Sequence, residues 1–176
     1  MQDRHQSYPT ICMFGGVKHG KTTLATAMLK VVQHIGATEI KDTQFQQTDP
    51  VGYRITEQLS TLFRTVKFET SGKHYRLIDS ESHADLVKAI IGSSPEIQAA
   101  ILVVRTTEGV TKEITEQIQL ANEIGIRTIF AFLNKVNMAE DLELIGMCQD
   151  ETEELLTEYN YTGEKNPLTI IGDIDS

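Results

Sequence analysis

Four residues near the N-terminus have the types and the spacing to bind a phosphate chain. Gly15, Gly20, Lys21 and Thr22 fit the pattern G-x-x-x-x-G-K-[ST] within the stretch FGGVKHGKTT. Glycines let the backbone fold around an anion so that several N–H groups point inward. The lysine ammonium can reach the terminal phosphates of a nucleoside triphosphate, and the threonine hydroxyl can ligate Mg²⁺. A pattern with so few constrained positions also arises by chance in a glycine turn. The flanking sequence therefore decides whether this stretch is a phosphate-binding loop.

The flanking sequence supplies the strand and the helix that such a loop requires. Residues 10–14 form a short apolar run that ends in two glycines, which predicts a buried strand. Residues 22–35 carry apolar side chains at helical spacing and are followed by Gly36. A helix that starts at the loop adds the positive end of its dipole. We therefore predict a phosphate-binding loop and not a chance turn.

The remainder of the chain alternates between strand and helix patterns. Residues 37–60 are polar and aperiodic, which predicts a long loop. Further strands are predicted at residues 65–70, 74–78, 99–107, 127–134 and 167–172, the first two forming a hairpin. Further helices are predicted at residues 84–91, 112–124 and 139–159. This alternation predicts one α/β domain over residues 1–176, with a mostly parallel sheet and helices on both of its faces.

Composition excludes several classes of protein. The formal net charge of −9 argues against a broad surface for DNA or for an anionic membrane, since those partners need clustered Lys and Arg. No apolar run approaches the roughly 18 residues of a membrane span, and the N-terminus is too polar for a signal peptide. Cys12 and Cys148 stand far apart without metal-ligand spacing, as free thiols do in a reducing compartment. We expect a cytoplasmic protein.

Several motifs resemble those of the translational GTPase family of elongation factor Tu. FGGVKHGKTTL is similar to that family's first motif, usually GHVDHGKTTL. HYRLIDSESHADLVKAIIGSSPEIQAAILVVRTTEGVTKEITEQIQLANEIGI is similar to its second and third strands through its third helix, and FAFLNKVNMAEDLEL to its guanine-specificity strand. The motifs occur in the family's order between about residues 10 and 172. The resemblance implies a P-loop NTPase fold that binds GTP or GDP with Mg²⁺, with the ribosome or other translation components as candidate partners.

The resemblance also assigns site residues. The nucleotide-binding positions would be Gly15, Gly16, Val17, Lys18, His19, Gly20, Lys21, Thr22, Thr23, Asp79, Ser82, Asn134, Lys135 and Asn137. Mg²⁺ would be held by Thr22, by Asp79 through water, and by a switch threonine. Counting back from Asp79 reaches Ser60 or Thr61, with Thr61 as the assigned ligand and Thr56 as the alternative.

A catalytic residue is assigned in the same way. His83 occupies the position of the family residue that orients the attacking water, so it is the catalytic candidate. The alternative for this side chain is an exposed histidine at the start of a helix.

Other positions depart from the family pattern. The glycine of the family's D-x-x-G motif is Ser82, whose Cβ restricts the switch backbone. Lys18 replaces an aspartate that helps hold a monovalent cation; its ammonium could supply that charge, or it could be a solvated loop lysine. The final S-A-L motif falls at residues 172–174 and is unrecognisable as GDI.

The base-reading carboxylate of the family's N-K-x-D motif is replaced by the amide of Asn137. A carboxylate accepts hydrogen bonds from guanine N1–H and from the 2-amino group, whereas an amide offers one acceptor and opposes a donor to the second. Xanthine carries a carbonyl in place of that amino group. We therefore expect weaker GTP binding and relatively better XTP binding, unless a water or a neighbouring group takes over the amino group.

Two functions of different classes follow. The first is a Mg²⁺-dependent guanine-nucleotide-binding protein that hydrolyses GTP slowly. The second is a pseudo-GTPase that serves as an interaction module, and an ATP-using P-loop enzyme is a weaker third.

The chain ends without the family's closing helix and β-barrel domains, so we expect exposed apolar surface near Leu168, Ile170 and Ile171. Such a sheet edge predicts self-association or a partner domain.

Overall fold

The computed structural model describes residues 9–34, 63–70, 73–80, 97–139, 141–161 and 169–174. Several predictions from the sequence lie outside these ranges. They are the long loop, one helix, the catalytic candidate, the switch serine, the three candidates for the switch hydroxyl and one sheet-edge leucine: residues 37–60, residues 84–91, His83, Ser82, Ser60, Thr61, Thr56 and Leu168.

Strands and helices alternate along the described residues, as the periodicity predicts. The strands are β1 (Thr10–Phe14), β2 (Phe63–Thr70), β3 (Lys73–Ser80), β4 (Ile97–Arg105), β5 (Thr128–Asn134) and β6 (Thr169–Ile171). The helices are α1 (Lys21–His34), α2 (Lys112–Glu123) and α3 (Leu142–Glu158), with a short 3-10 turn at Val136–Met138.

The strands form a single sheet in the order β2-β3-β1-β4-β5-β6. β1 pairs in parallel with β3 on one side and with β4 on the other, and β5 and β6 continue the parallel ladder. Only the β2–β3 hairpin is antiparallel among the described strands. The chain leaves β1 at the point where the strand order changes direction, which is where open α/β sheets bind their ligands.

Each face of the sheet has its own hydrophobic core. Side chains alternate along β1, so that Cys12 and Phe14 face one way and Met13 faces the other, all fully buried. α1 covers the Met13 face, with Leu24 and Leu29 in that core. α2 and α3 cover the opposite face. The predicted α/β sheet with helices on both faces is confirmed.

The long acidic helix starts later than the periodicity predicts. The pattern predicts a helix from residue 139, but the 3-10 turn at Val136–Met138 precedes it and α3 begins at Leu142. Asp141 sets this start because its side chain accepts a hydrogen bond from the Glu143 N–H at 3.0 Å. A cap of this kind satisfies a backbone donor that the first turn leaves unpaired, so the local cap decides where the helix begins.

The β6 edge of the sheet carries apolar side chains on its surface. Ile170 is 50% exposed and Ile171 is 45% exposed, while Phe130 on the neighbouring strand is 39% exposed.

Within the described ranges, no helix combines the length and the apolar character needed to cross a membrane.

Candidate functional site

The loop between β1 and α1 has a backbone that only glycine accommodates at two points. Gly15 has a φ of 132°, and a Cβ there would collide with the carbonyl oxygen of Val103 on β4. Gly20 has a φ of 100°, and a Cβ there would collide with the side-chain amide of Asn134. Both glycines therefore provide an allowed backbone conformation and the space that close packing against β4 and β5 requires.

Lys21 places its ammonium inside this loop. The side chain is buried, and Nζ donates hydrogen bonds to the carbonyl oxygens of Gly15 and Gly16, each at 2.8 Å. Lys21 is also the first residue of α1, so its charge adds to the positive end of the helix dipole. A cation held by carbonyls at a helix start is poised to receive an anion.

Thr22 and Asp79 bring two oxygen ligands together beside the loop. The Thr22 hydroxyl donates a hydrogen bond of 2.7 Å to Asp79 Oδ2, although the two residues lie 57 positions apart. Asp79 is buried near the end of β3, directly beside the β1 strand that leads into the loop. Hydroxyl and carboxylate oxygens are hard donors, and Mg²⁺ typically takes one or two protein ligands and completes its shell with water and phosphate. The donor set fits Mg²⁺.

Two buried polar side chains, Gln117 and His19, connect the loop to the helix and strand packed behind it. Gln117 on α2 accepts a hydrogen bond from the Gly15 N–H at 2.7 Å. His19 Nδ1 lies 3.2 Å from both the Arg105 amide nitrogen and the Val103 carbonyl oxygen, and Nε2 lies 3.1 Å from Glu108 Oε2. This hydrogen bond from His19 lowers the pKa of the Glu108 carboxyl below its ordinary value.

Asn134 joins the loop to the far end of the site. Its Nδ2 donates to the His19 carbonyl oxygen at 2.8 Å, and its Oδ1 accepts from the Ile174 N–H at 3.3 Å. The adjacent Lys135 has a left-handed φ of 62°, which is uncommon for a residue with a Cβ. Thr106 Oγ1 lies 3.2 Å and 3.0 Å from the carbonyl oxygens of Asn134 and Lys135 and can donate to either. The ends of β4 and β5 are thereby held together at the site.

These elements enclose a cavity of about 430 Å³ at the carboxyl edge of the sheet. Its lining residues come from the loop, the start of α1, the end of β5 and the segment after β6: Val17, Lys18, Gly20, Lys21, Thr22, Thr23, Asn134, Lys135 and Ile174. The loop and the N-K pair, more than 100 residues apart in sequence, therefore meet at one cavity.

The structure places the other site candidates as follows. Gly15, Gly16 and His19 lie buried behind the cavity wall, with the His19 ring directed at β4 and not at the cavity. Lys18 is exposed, with a left-handed φ of 63°. The Asn137 side chain is exposed, and the Asn137 N–H donates to Asp173 Oδ2 at 3.1 Å.

Sequence reasoning missed Gln117, Thr106 and Asp173. One signal was available for Gln117, since it interrupts the otherwise apolar buried face of α2 formed by Ile114, Ile118 and Ala121. A polar side chain at a core position of a helix has to find a hydrogen-bond partner. For Asp173 the family's motif at that place is unrecognisable, so no pattern pointed to it.

The comparison with known families agrees with this geometry. The sequence matches the family described as "Elongation factor Tu GTP binding domain" over residues 6–172. That match spans the loop, the Asp79 strand and the N-K pair that line or flank the cavity. The chain therefore belongs to the elongation factor Tu GTP-binding domain family and is a GTP-binding protein that resembles the translational GTPases.

Proposed function

We propose that this protein binds GTP and GDP with Mg²⁺ and hydrolyses GTP slowly, as a cytoplasmic protein that acts with components of the translation machinery. The observation that carries the proposal is the position of Lys21, a buried ammonium held inside a glycine loop at the start of a helix. An anion at this place gains a charge-assisted hydrogen bond, backbone N–H donors and the helix dipole together.

Different residues would bind the phosphates and the Mg²⁺. Lys21 and the loop N–H groups would hold the β- and γ-phosphates, while Thr22 and Asp79 would hold Mg²⁺ on the adjoining side. Mg²⁺, when bound, neutralises charge on the phosphates. Asn134 keeps the loop and the residue 172–174 segment in register, so that phosphate and base ends of the cavity stay at a fixed spacing.

Slow hydrolysis is proposed because the switch region is altered. Catalysis of phosphoryl transfer depends almost entirely on positioning and electrostatics. Ser82 stands where the family has glycine, and a Cβ there restricts the backbone conformations available next to His83, the residue proposed to orient the attacking water. Both residues lie outside the described ranges, so their roles rest on the family resemblance.

The second candidate is a pseudo-GTPase that serves as an interaction module. It is favoured by the amide at Asn137, because the base-reading carboxylate is missing from its usual position in the sequence.

Calorimetric titration with GDP, GTP, ATP and XTP, each with and without Mg²⁺, tests the proposal. A guanine-nucleotide-binding protein should show saturable one-to-one binding of GDP and GTP, tighter with Mg²⁺ for GTP. Absence of binding for all four nucleotides would support the interaction module instead.

Single-turnover hydrolysis tests the catalytic part separately. His83→Ala should lower the rate of GTP hydrolysis and leave GTP affinity unchanged, since the side chain is proposed to orient water and not to bind phosphate. Equal rates for the variant and the wild type would remove His83 from the mechanism.

A further inference from the structure

A buried threonine contacts the two backbone carbonyls at the end of β5. Thr106 is the first residue after β4 and is only 1% exposed. Its N–H donates to the Asn134 carbonyl oxygen at 3.0 Å, and its hydroxyl lies 3.2 Å from that oxygen and 3.0 Å from the Lys135 carbonyl oxygen. A hydroxyl has one donor hydrogen, so the two carbonyls share it. The N–H and the hydroxyl of Thr106 are therefore both directed at the turn that follows β5.

The backbone of this turn has a conformation that side chains oppose. β5 is extended up to Asn134, and Lys135 then takes a left-handed conformation with a φ of 62° and a ψ of 40°. Such a conformation is unfavourable for an L-residue because its Cβ approaches the following carbonyl oxygen. The Lys135 carbonyl accepts from the Met138 N–H at 3.1 Å and also from the Thr106 hydroxyl. The hydroxyl therefore stabilises the conformation that the Cβ of Lys135 opposes.

The two residues at this turn both line the cavity. Asn134 also connects to the phosphate loop, because its Nδ2 donates to the His19 carbonyl oxygen at 2.8 Å. A change of Lys135 to a negative φ would redirect the Lys135 side chain and disturb the backbone that carries Asn134. Thr106 does not line the cavity formed by the described residues, so it can affect a ligand there only through its neighbours.

We infer that Thr106 is a positioning residue for nucleotide binding, whose hydroxyl holds Lys135 in the left-handed conformation and so keeps Asn134 and Lys135 directed at the cavity. This role rests on the proposed nucleotide-binding function and deepens it. Thr106 acts on the backbone and does not contact the nucleotide. The apparent affinity then depends on the fraction of molecules in which the turn is left-handed.

Thr106→Val tests this role, because valine keeps the branched shape of the side chain and removes the hydroxyl. Neither carbonyl loses its last donor, since the backbone N–H groups of residue 106 and Met138 remain. We expect GDP affinity, measured by calorimetry, to fall by about 2- to 10-fold, the value of one hydrogen bond expressed as an equilibrium constant. Thr106→Ser keeps the hydroxyl and should bind GDP as the wild type does.

Thr152→Val is the matched control. Thr152 is also fully buried, and its hydroxyl donates to the Cys148 carbonyl oxygen at 2.7 Å within α3, away from the cavity. Urea unfolding should show a similar loss of stability for Thr106→Val and Thr152→Val, whereas GDP affinity should fall only in Thr106→Val. Equal GDP affinity for Thr106→Val and the wild type, or an equal fall in Thr152→Val, would overturn the role of Thr106 alone.

Backbone NMR of the nucleotide-free protein provides a second readout, because the chemical shifts and the HN–Hα coupling of Lys135 depend on its φ. We expect a left-handed φ in the wild type and in Thr106→Ser, and a shift toward negative φ in Thr106→Val. An unchanged φ in Thr106→Val would show that the hydroxyl does not hold the turn. A wild type that binds no nucleotide would overturn the proposed function and the part of Thr106 in binding, while the φ of Lys135 would still decide whether Thr106 holds the turn.

Discussion

Asn134 and Asn137 show why this chain matches the family's N-K-x-D motif at its first position and departs from it at its last. Asn134 is buried and uses both halves of its amide, with Nδ2 bound to the His19 carbonyl and Oδ1 accepting from Ile174. A carboxylate there would lose the donor, so the fold itself demands the amide. Asn137 is exposed, and its backbone N–H donates to Asp173. Because this residue is not buried in the sheet, a substitution here disturbs the fold less.

Tyr161 gives a pH-dependent prediction at the scale of a single residue. Burial raises the pKa of Tyr161 to about 12, and its hydroxyl donates to the Ile126 carbonyl at 3.1 Å. The unfolded chain releases this proton near pH 10, so between about pH 10 and 12 the folded state binds more protons. This contribution to stability is complete below pH 10 and falls as the pH rises.

Tyr161→Phe tests this assignment by urea unfolding across pH. At neutral pH the wild type should be more stable than the variant by about 0.5–1.5 kcal/mol, the net value of a buried hydrogen bond. That advantage should shrink between pH 10 and 12. A constant difference across this range would show that Tyr161 titrates normally.

At the scale of elements, α2 supports the phosphate loop as well as the core. Ile114, Ile118 and Ala121 bury its apolar stripe, and Gln117 extends from the same face to the Gly15 N–H. This links the geometry of the loop to a helix more than 90 residues further along the chain.

Gln117→Leu tests that link. Leucine fits a buried helical position but leaves the Gly15 N–H without its acceptor, which should lower the free energy of unfolding by about 1–3 kcal/mol. GDP affinity should fall as well, because the loop loses its support. Gln119→Leu on the exposed face of the same helix is the control and should change neither quantity appreciably. Equal stabilities for the two variants would contradict the assigned role of Gln117.

The elements of this fold could be read from the sequence, and the long-range polar contacts could not. Apolar runs and helical spacing predict β1, α1, β4 and β5 to within a few residues, since burial on a sheet imposes those patterns. The hydrogen bond from Asn137 to Asp173 spans 36 positions and that from Gly15 to Gln117 spans 102. Nothing local in sequence encodes which distant polar groups meet, because that depends on strand order and register.

At the scale of the whole molecule, the β6 edge carries exposed apolar side chains, as Ile170 and Ile171 show. Ile170 pairs with Phe132 and Ile171 with Leu133, so apolar side chains reach the surface on both sides of the edge. We propose that a second copy of the chain covers this edge, since paired edge strands and buried apolar area both favour it.

Light scattering over a range of concentrations tests the edge. The wild type should gain mass as concentration rises, and Ile170→Ser should weaken this self-association. Leu142→Ser removes a similar apolar side chain, 84% exposed, at the start of α3, and should leave it unchanged. A wild type that stays monomeric at high concentration would exclude a second copy at this edge.

Binding of GDP to the wild type and to Lys21→Ala, each shown to be folded by circular dichroism, tests the central claim most directly. The account predicts one-to-one binding by the wild type and an affinity lower by about 10- to 150-fold or more in the variant, since a buried phosphate loses a charge-assisted donor. Lys30→Ala, an exposed lysine on α1, should bind GDP as the wild type does. Equal GDP affinity for Lys21→Ala and the wild type would show that the glycine loop is a turn and not a phosphate site.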